Sequence, residues 1–143
     1  MTIPTDISSL IPQRPPFVMI DQLLEVNSDS SVASFAVKAD NIFLSDGHFE
    51  AYGMIENIAQ TAAAGMSVTR SLDSGLAPEG FLGAMSNAKV TVLPQVGDEI
   101  RTETRIIAEI GSLFKVLGNC FVNGQICFTC TLSLASRPIQ KHQ

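Results

Sequence analysis

His48 and Glu56 stand eight residues apart, where a polar turn gives way to a long apolar run. The stretch reads Asp46-Gly47-His48-Phe49-Glu50-Ala51-Tyr52-Gly53-Met54-Ile55-Glu56. From Ala51 to Leu72 the only formal charges are Glu56 and Arg70. A charge in so apolar a run is costly unless it is paired, protonated or close to water. The other histidine, His142, lies in the C-terminal tail. A base and a carboxyl are therefore offered at one place in the chain. Histidine can take up a proton near pH 7, and a carboxyl in apolar surroundings can hold one. The chemistry this pair suits is proton transfer.

Such a pair works only if the surrounding elements hold it. A helix is expected from Glu50 or Ala51 to about Leu72, with Asp73-Ser74-Gly75 ending it. Met54, Ile55, Ile58, Ala59, Ala62 and Met66 leave it almost no polar face, and a helix of that kind is normally buried. Gly53 and Gly65 would weaken an isolated helix, so they mark places where another element comes close. Upstream, Thr5 or Asp6 can cap a short helical turn through Leu10, and Pro12, Pro15 and Pro16 enforce an extended path. Strands are expected at 17–26 and 31–39, the second with Ala33, Phe35, Val37 and Ala39 on its apolar face. Downstream, strands are expected at 81–93, with an irregularity at Ser86-Asn87, and at 99–110, 113–122 and 125–136. Their connections are Pro94-Gln95-Val96-Gly97-Asp98, Gly111-Ser112 and Asn123-Gly124, the last a strong hairpin signal. In the final strand Ile126, Phe128, Cys130, Leu132 and Leu134 share one face. One buried helix and a meander of long strands make an α+β domain.

The 143 residues are read as one domain, 1–143, large enough to bury roughly 70% of its unfolded surface. Hydrophobic residues make up 45% and charged residues 16%, and mean hydropathy is +0.25. That balance implies further apolar surface hidden by oligomerisation, and edge strands favour a dimer that extends the sheet. A net charge of -5 argues against nucleic-acid binding, since no basic stripe is present to neutralise phosphates. No apolar run reaches the ~18 residues of a membrane span. The N-terminus lacks the basic and apolar regions of a signal peptide, so a cytoplasmic location is expected. Cys127 and Cys130 have C-x-x-C spacing but lie in a strand, where positions three apart point to opposite faces. With no second pair or nearby histidine, all three cysteines are read as structural. No motif calls for a metal or an organic cofactor.

Taken in order, several segments resemble one family over nearly the whole chain. Leu10-Ile11-Pro12-Gln13-Arg14-Pro15-Pro16-Phe17-Val18-Met19-Ile20-Asp21 is similar to an opening in which Pro-x-Arg leads into an apolar strand ending in Asp. Gly47-His48-Phe49 resembles the start of a catalytic loop, and Glu56-Asn57-Ile58-Ala59-Gln60-Thr61-Ala62 a Glu-Ala-Met-Ala-Gln run in a central helix. The segments beginning at Phe81, Val96 and Gly124 match the strands and Pro-Gly-Asp-x-Leu turn that follow. The family is that of the hot-dog-fold β-hydroxyacyl-acyl-carrier-protein dehydratases, in which an antiparallel sheet wraps around one long central helix. The usual His-Phe-Pro-Gly-x-Pro-x-x-Pro-Gly loop is shortened, and Glu50-Ala51 replaces the Pro-Gly before the helix. In this the chain is similar to a divergent branch found in aryl-polyene and flexirubin-like pigment clusters.

The resemblance implies a 3-hydroxyacyl-thioester dehydratase in fatty-acid or polyene-type synthesis, with an acyl chain on acyl carrier protein or CoA. It implies His48 as base, Glu56 as acid or hydroxyl-positioning group, and the amides of Ala51 and Tyr52 as oxyanion hole. Histidine and acid would come from opposite subunits of a homodimer, or of a heterodimer with another dehydratase. The acyl tail would lie in an apolar tunnel at Met54, Ile58 and Met66. Arg14, Lys89 and Arg101 are candidates for contacts to an acidic carrier, and Gln60 is read as structural. Two alternatives stand beside this reading: a hot-dog thioesterase using Glu56, and a non-catalytic subunit partnering an active dehydratase.

Overall fold

The computed structural model describes residues 2–74 and 78–138, with side chains for 2–70 and 83–135. A single 3-10 turn, Ile7–Ser9, comes first, and the Asp6 carboxylate caps it by accepting from the Ser8 amide at 3.0 Å. Then follow β1 (Gln22–Val26), β2 (Ser30–Ala36), β3 (Leu44–Ser45), β4 (His48–Phe49), α1 (Ala51–Ser74), β5 (Pro78–Val90), β6 (Glu99–Ile110), β7 (Leu113–Val122) and β8 (Gln125–Pro138). Six strands form one antiparallel sheet in the order β1-β2-β6-β7-β8-β5, while β3 and β4 make a separate small hairpin.

The helix touches every strand of the large sheet, as its near-continuous apolar surface requires. Met54, Ile58, Ala62 and Met66 pack with Phe35, Val116, Phe128 and Leu132 in the main core, and Ala64 and Val68 join Ile7, Leu10 and Leu23 in a second cluster. The fit is close. A Cβ on Gly53 would stand 2.5 Å from the Phe49 ring, and one on Gly65 would stand 2.7 Å from Ser31 Cβ. The sheet reciprocates at Gly118, where a Cβ would come within 2.3 Å of Ile58 Cγ2. Both helix glycines expected to mark close approach do so.

The strand expected at 17–26 begins only at Gln22. Residues 17–19 instead give their backbone groups to helix side chains: Asn57 Nδ2 donates to Met19 O at 2.7 Å, and Gln60 bonds both Met19 and Phe17. Apolar content there reflects burial, not a ladder. Ala39, expected on the buried face of the next strand, is exposed beyond the end of β2.

The two cysteines expected on opposite faces are both buried in the main core. Phe121 pairs with Ile126 and Cys120 with Phe128, so Cys127 is the extra residue of a β-bulge. A bulge breaks the two-residue alternation. It turns Cys127 inward beside Phe128, with Cys127 Sγ 4.0 Å from Met54 Sδ, and leaves Ile126 44% exposed.

The β5 end of the sheet differs. Every described side chain of β5 from Gly83 to Val90 is exposed. Met85 pairs with Leu132 and Val90 with Phe128. Paired residues share a face, so Met85 and Val90 point to the core side, yet each is 45% exposed while Leu132 and Phe128 are buried.

Candidate active site

The β3–β4 hairpin positions the histidine. Asp46 and Gly47 link its strands with φ of 51° and 75°, the left-handed pair that a two-residue turn of this twist needs and that Asp-Gly readily adopts. Phe49 N–H donates to Pro94 O at 2.7 Å, and Val96 N–H donates to Gly47 O at 3.1 Å. His48 also bridges Gln95 across to the 94–98 turn. That turn is itself closed by Asp98, whose carboxylate accepts from the Gln95 amide at 2.8 Å. The histidine backbone is thus clamped on both sides.

The ring is oriented as well. His48 Nδ1 lies 2.9 Å from Asp46 O. A carbonyl oxygen can only accept, so Nδ1 carries the proton in that bond and Nε2 keeps its lone pair. The residue is half-buried.

Helix α1 begins at Ala51, three residues after His48. Its first internal bond runs from Met54 N–H to Glu50 O at 3.2 Å. The amides of Ala51, Tyr52 and Gly53 therefore precede the first intrahelical donor, which is where free N–H groups and the positive end of the helix dipole gather. Ala51 is half-buried, whereas Tyr52 is 59% exposed with its ring 5.2 Å from that of Phe43.

Glu56 lies one and a half turns into the helix and is half-buried. Its Oε2 accepts from Gln60 Nε2 at 3.4 Å. Among the described residues no hydrogen bond or ion pair joins Glu56 to His48, and none joins it to an arginine. Within one chain the two groups belong to separate elements with separate partners. Asn57, its neighbour, is fully buried and binds Met19 O and the Thr102 hydroxyl. Sequence reasoning passed over Asn57, although a polar residue one step from Glu56 in an apolar helix was a signal that something must satisfy it.

Met54 and Ile58 are fully buried and Met66 is 4% exposed, all three within the main core. Met66 also borders a small hollow with Ser31, Gly65 and Thr69. Arg14 gives its guanidinium to Ile11 O and Gln13 O, and Arg101 pairs with Glu25 at 2.9 Å. Lys89 is exposed on edge strand β5. Among the described residues no three His, Cys, Asp or Glu side chains gather as metal ligands, and no helix is long and apolar enough to cross a membrane.

The family model for ApeP-like proteins, described as ApeP dehydratase, matches residues 5–141. The chain belongs to the ApeP-like dehydratase family. Its relatives include 3-hydroxyacyl-[acyl-carrier-protein] dehydratase FabZ of Rickettsia felis, 32% identical over 128 residues covering 85% of this chain and 87% of that protein. FabZ of Coxiella burnetii is 29% identical over 133 residues, covering 85% and 90%. Among solved structures, the dehydratase heterocomplex ApeI:P from Xenorhabdus doucetiae superposes with a TM-score of 0.81 at 18% identity, over 92% of this chain and 90% of that one. The PaaI protein of E. coli superposes at 0.65 with 8% identity, over 79% and 80%. At such identities the structural likeness establishes the hot-dog fold, and the family match makes this ApeP-like chain a dehydratase.

Proposed function

We propose that the chain removes water from a 3-hydroxyacyl thioester borne on an acyl carrier protein, giving the trans-2-enoyl thioester. His48 Nε2 takes the C2 proton, which the neighbouring thioester carbonyl acidifies. The electron pair left at C2 forms the C2–C3 double bond as the C3–O bond breaks. Glu56 gives its proton to the departing hydroxyl, which leaves as water. The proton on His48 then returns to Glu56, and the pair is reset. Charge that gathers on the thioester oxygen is met by the amides of Ala51 and Tyr52. The observation that carries this reading is the bond from His48 Nδ1 to Asp46 O, which in the neutral ring leaves the lone pair on Nε2.

The two residues are assigned to opposite chains of a dimer. Support comes from β5, an edge strand whose Met85 and Val90 face the core side uncovered. An unpaired edge with an apolar stripe invites a further strand. Continuing the sheet there sets the seam beside the helix start, and the acyl tail is assigned to that seam, with Met54, Ile58 and Met66 behind its wall. A homodimer satisfies this geometry. So does pairing with an unlike dehydratase chain, a reading that the heterocomplex of the most similar fold described above favours.

The test is mass spectrometry of 3-hydroxyacyl- and 2-enoyl-carrier-protein incubated with the full chain and with His48→Ala and Glu56→Ala. Loss or gain of one water by the wild type, abolished in both variants, is expected. Release of the free carrier thiol without enoyl product would replace dehydration by thioester hydrolysis. An inert chain that becomes active only with a second dehydratase would select the unlike pair.

A further inference from the structure

The hairpin that carries His48 pairs only Leu44–Ser45 with His48–Phe49. A two-stranded hairpin that short does not hold its shape in water by itself, so its place is set from outside. The turn before β6 sets it. Phe49 N–H donates to Pro94 O at 2.7 Å and Val96 N–H donates to Gly47 O at 3.1 Å, one bond on either side of His48. On its far side the same turn is tied to the chain just past β2. Gly97 N–H donates to Val37 O, and Val37 N–H donates to Asp98 O, both at 2.9 Å. Residues 94–98 are thus a rivet between the large sheet and the histidine.

The rivet keeps its own shape through Asp98. The Asp98 N–H donates to Gln95 O at 3.0 Å, and the Asp98 carboxylate accepts from Gln95 N–H at 2.8 Å. Gln95 is the residue that bridges to His48. Among the described residues no other side chain hydrogen-bonds the backbone of this turn. From these contacts we propose that Asp98 is a positioning residue for His48. Its carboxylate fixes Gln95, Gln95 and its neighbours fix the hairpin, and the hairpin keeps the imidazole on the Asp46 carbonyl and in register with the helix start. The role belongs to the bond and not to the negative charge. Without it the Gln95 N–H loses its acceptor, the turn loosens, and the base wanders from its line to the C2 proton, an error that proton transfer does not tolerate. The inference rests on the reading of His48 as base and names what holds that base in place.

Measurements on the full chain test it, the first without activity. In the nitrogen NMR spectrum of the neutral imidazole, the His48 signals are identified by their loss in His48→Ala. In the wild type they are expected to show the proton on Nδ1. In Asp98→Ala they are expected to move towards one another, as in a ring that exchanges between tautomers. Unmoved signals overturn the proposal. In turnover, Asp98→Ala is expected to lose kcat by about tenfold or more, with KM little changed. Asp6→Ala is the control for lost stability. It removes the same kind of bond from the 3-10 turn, which packs by Ala64 and Val68 beside the C-terminal half of the helix. An Asp98→Ala kcat matching that of the control overturns the proposal. Asp98→Asn and Asp98→Glu separate bond from charge, and they serve if the alanine variant does not fold. Asparagine sets a neutral acceptor at the same reach, whereas glutamate keeps the charge and displaces it by a methylene. Asp98→Asn is expected to keep more of kcat than Asp98→Glu, and the reverse order overturns the proposal. His48→Ala checks the underlying reading. If it retains full activity, His48 is not the base and the proposal falls with it. If it is inactive while the Asp98 variants behave as the control, only the positioning role falls.

Discussion

At the scale of single residues, candidate groups stand out in the sequence more readily than their supports. His48 and Glu56 stand out because a base and an acid are conspicuous beside an apolar helix, and their roles are the proposal made above. The part of Asp46 was legible only as a turn residue. That its carbonyl fixes the histidine tautomer depends on two left-handed φ angles, which a residue string does not state. The cysteines were misread in one respect, because a single inserted residue in β8 reverses which side chains face inward, and alternation carries no mark of it. Their burial has a measurable result. Removal from water pushes the Cys127 and Cys130 thiols up to about 11 from an ordinary 9.0, and Cys120 is pushed up further. The folded state thus keeps these protons where the unfolded chain releases them. Stability that is fully present below pH 9 should fall as pH rises from about 9 towards 11. Urea unfolding at pH 8, 9.5 and 10.5 checks this, and the thiols should resist alkylation at pH 8 until the chain unfolds.

At the scale of elements, the long strands β6 to β8 and the helix follow directly from pattern, since alternation and an apolar helical run leave few readings. The segment before β1 does not, because its backbone is satisfied by Asn57 and Gln60 from a helix some 40 residues away. Local propensity cannot foresee such a partner. The helix-to-sheet fit yields a sharper prediction. Gly118→Ala drives a methyl into Ile58 and should cost about 1–3 kcal/mol in denaturant unfolding. Ile58→Ala leaves a cavity in the core and should cost about 2–5 kcal/mol. Combined, the new methyl on residue 118 occupies part of that cavity, so the double variant should lose less than the two single losses added together. Strict additivity would mean the two positions do not touch.

At the scale of the whole molecule, the odd feature is a strand that the fold leaves half-dressed. Met85 and Val90 face the core side of β5 yet are each 45% exposed, which fits the excess of apolar residues in so short a chain. Met85→Lys combined with Val90→Lys should leave each folded chain intact by circular dichroism, shift light scattering from dimer to monomer, and abolish turnover. Monomers that keep full activity would return both catalytic groups to one chain.

The tight contacts at Gly65 and Gly118 have a consequence for specificity. With the helix pressed against Ser31 on one strand and against the Gly118 backbone on another, substitution at these two points opens no room beneath it. If the acyl tail lies at the proposed seam, each of two chains supplies half of the ruler that measures it. Exchange of one half for a different hot-dog subunit would re-scale that ruler at a stroke. A lineage could in this way acquire longer or stiffer substrates by changing company, with the interior of this chain left as it is.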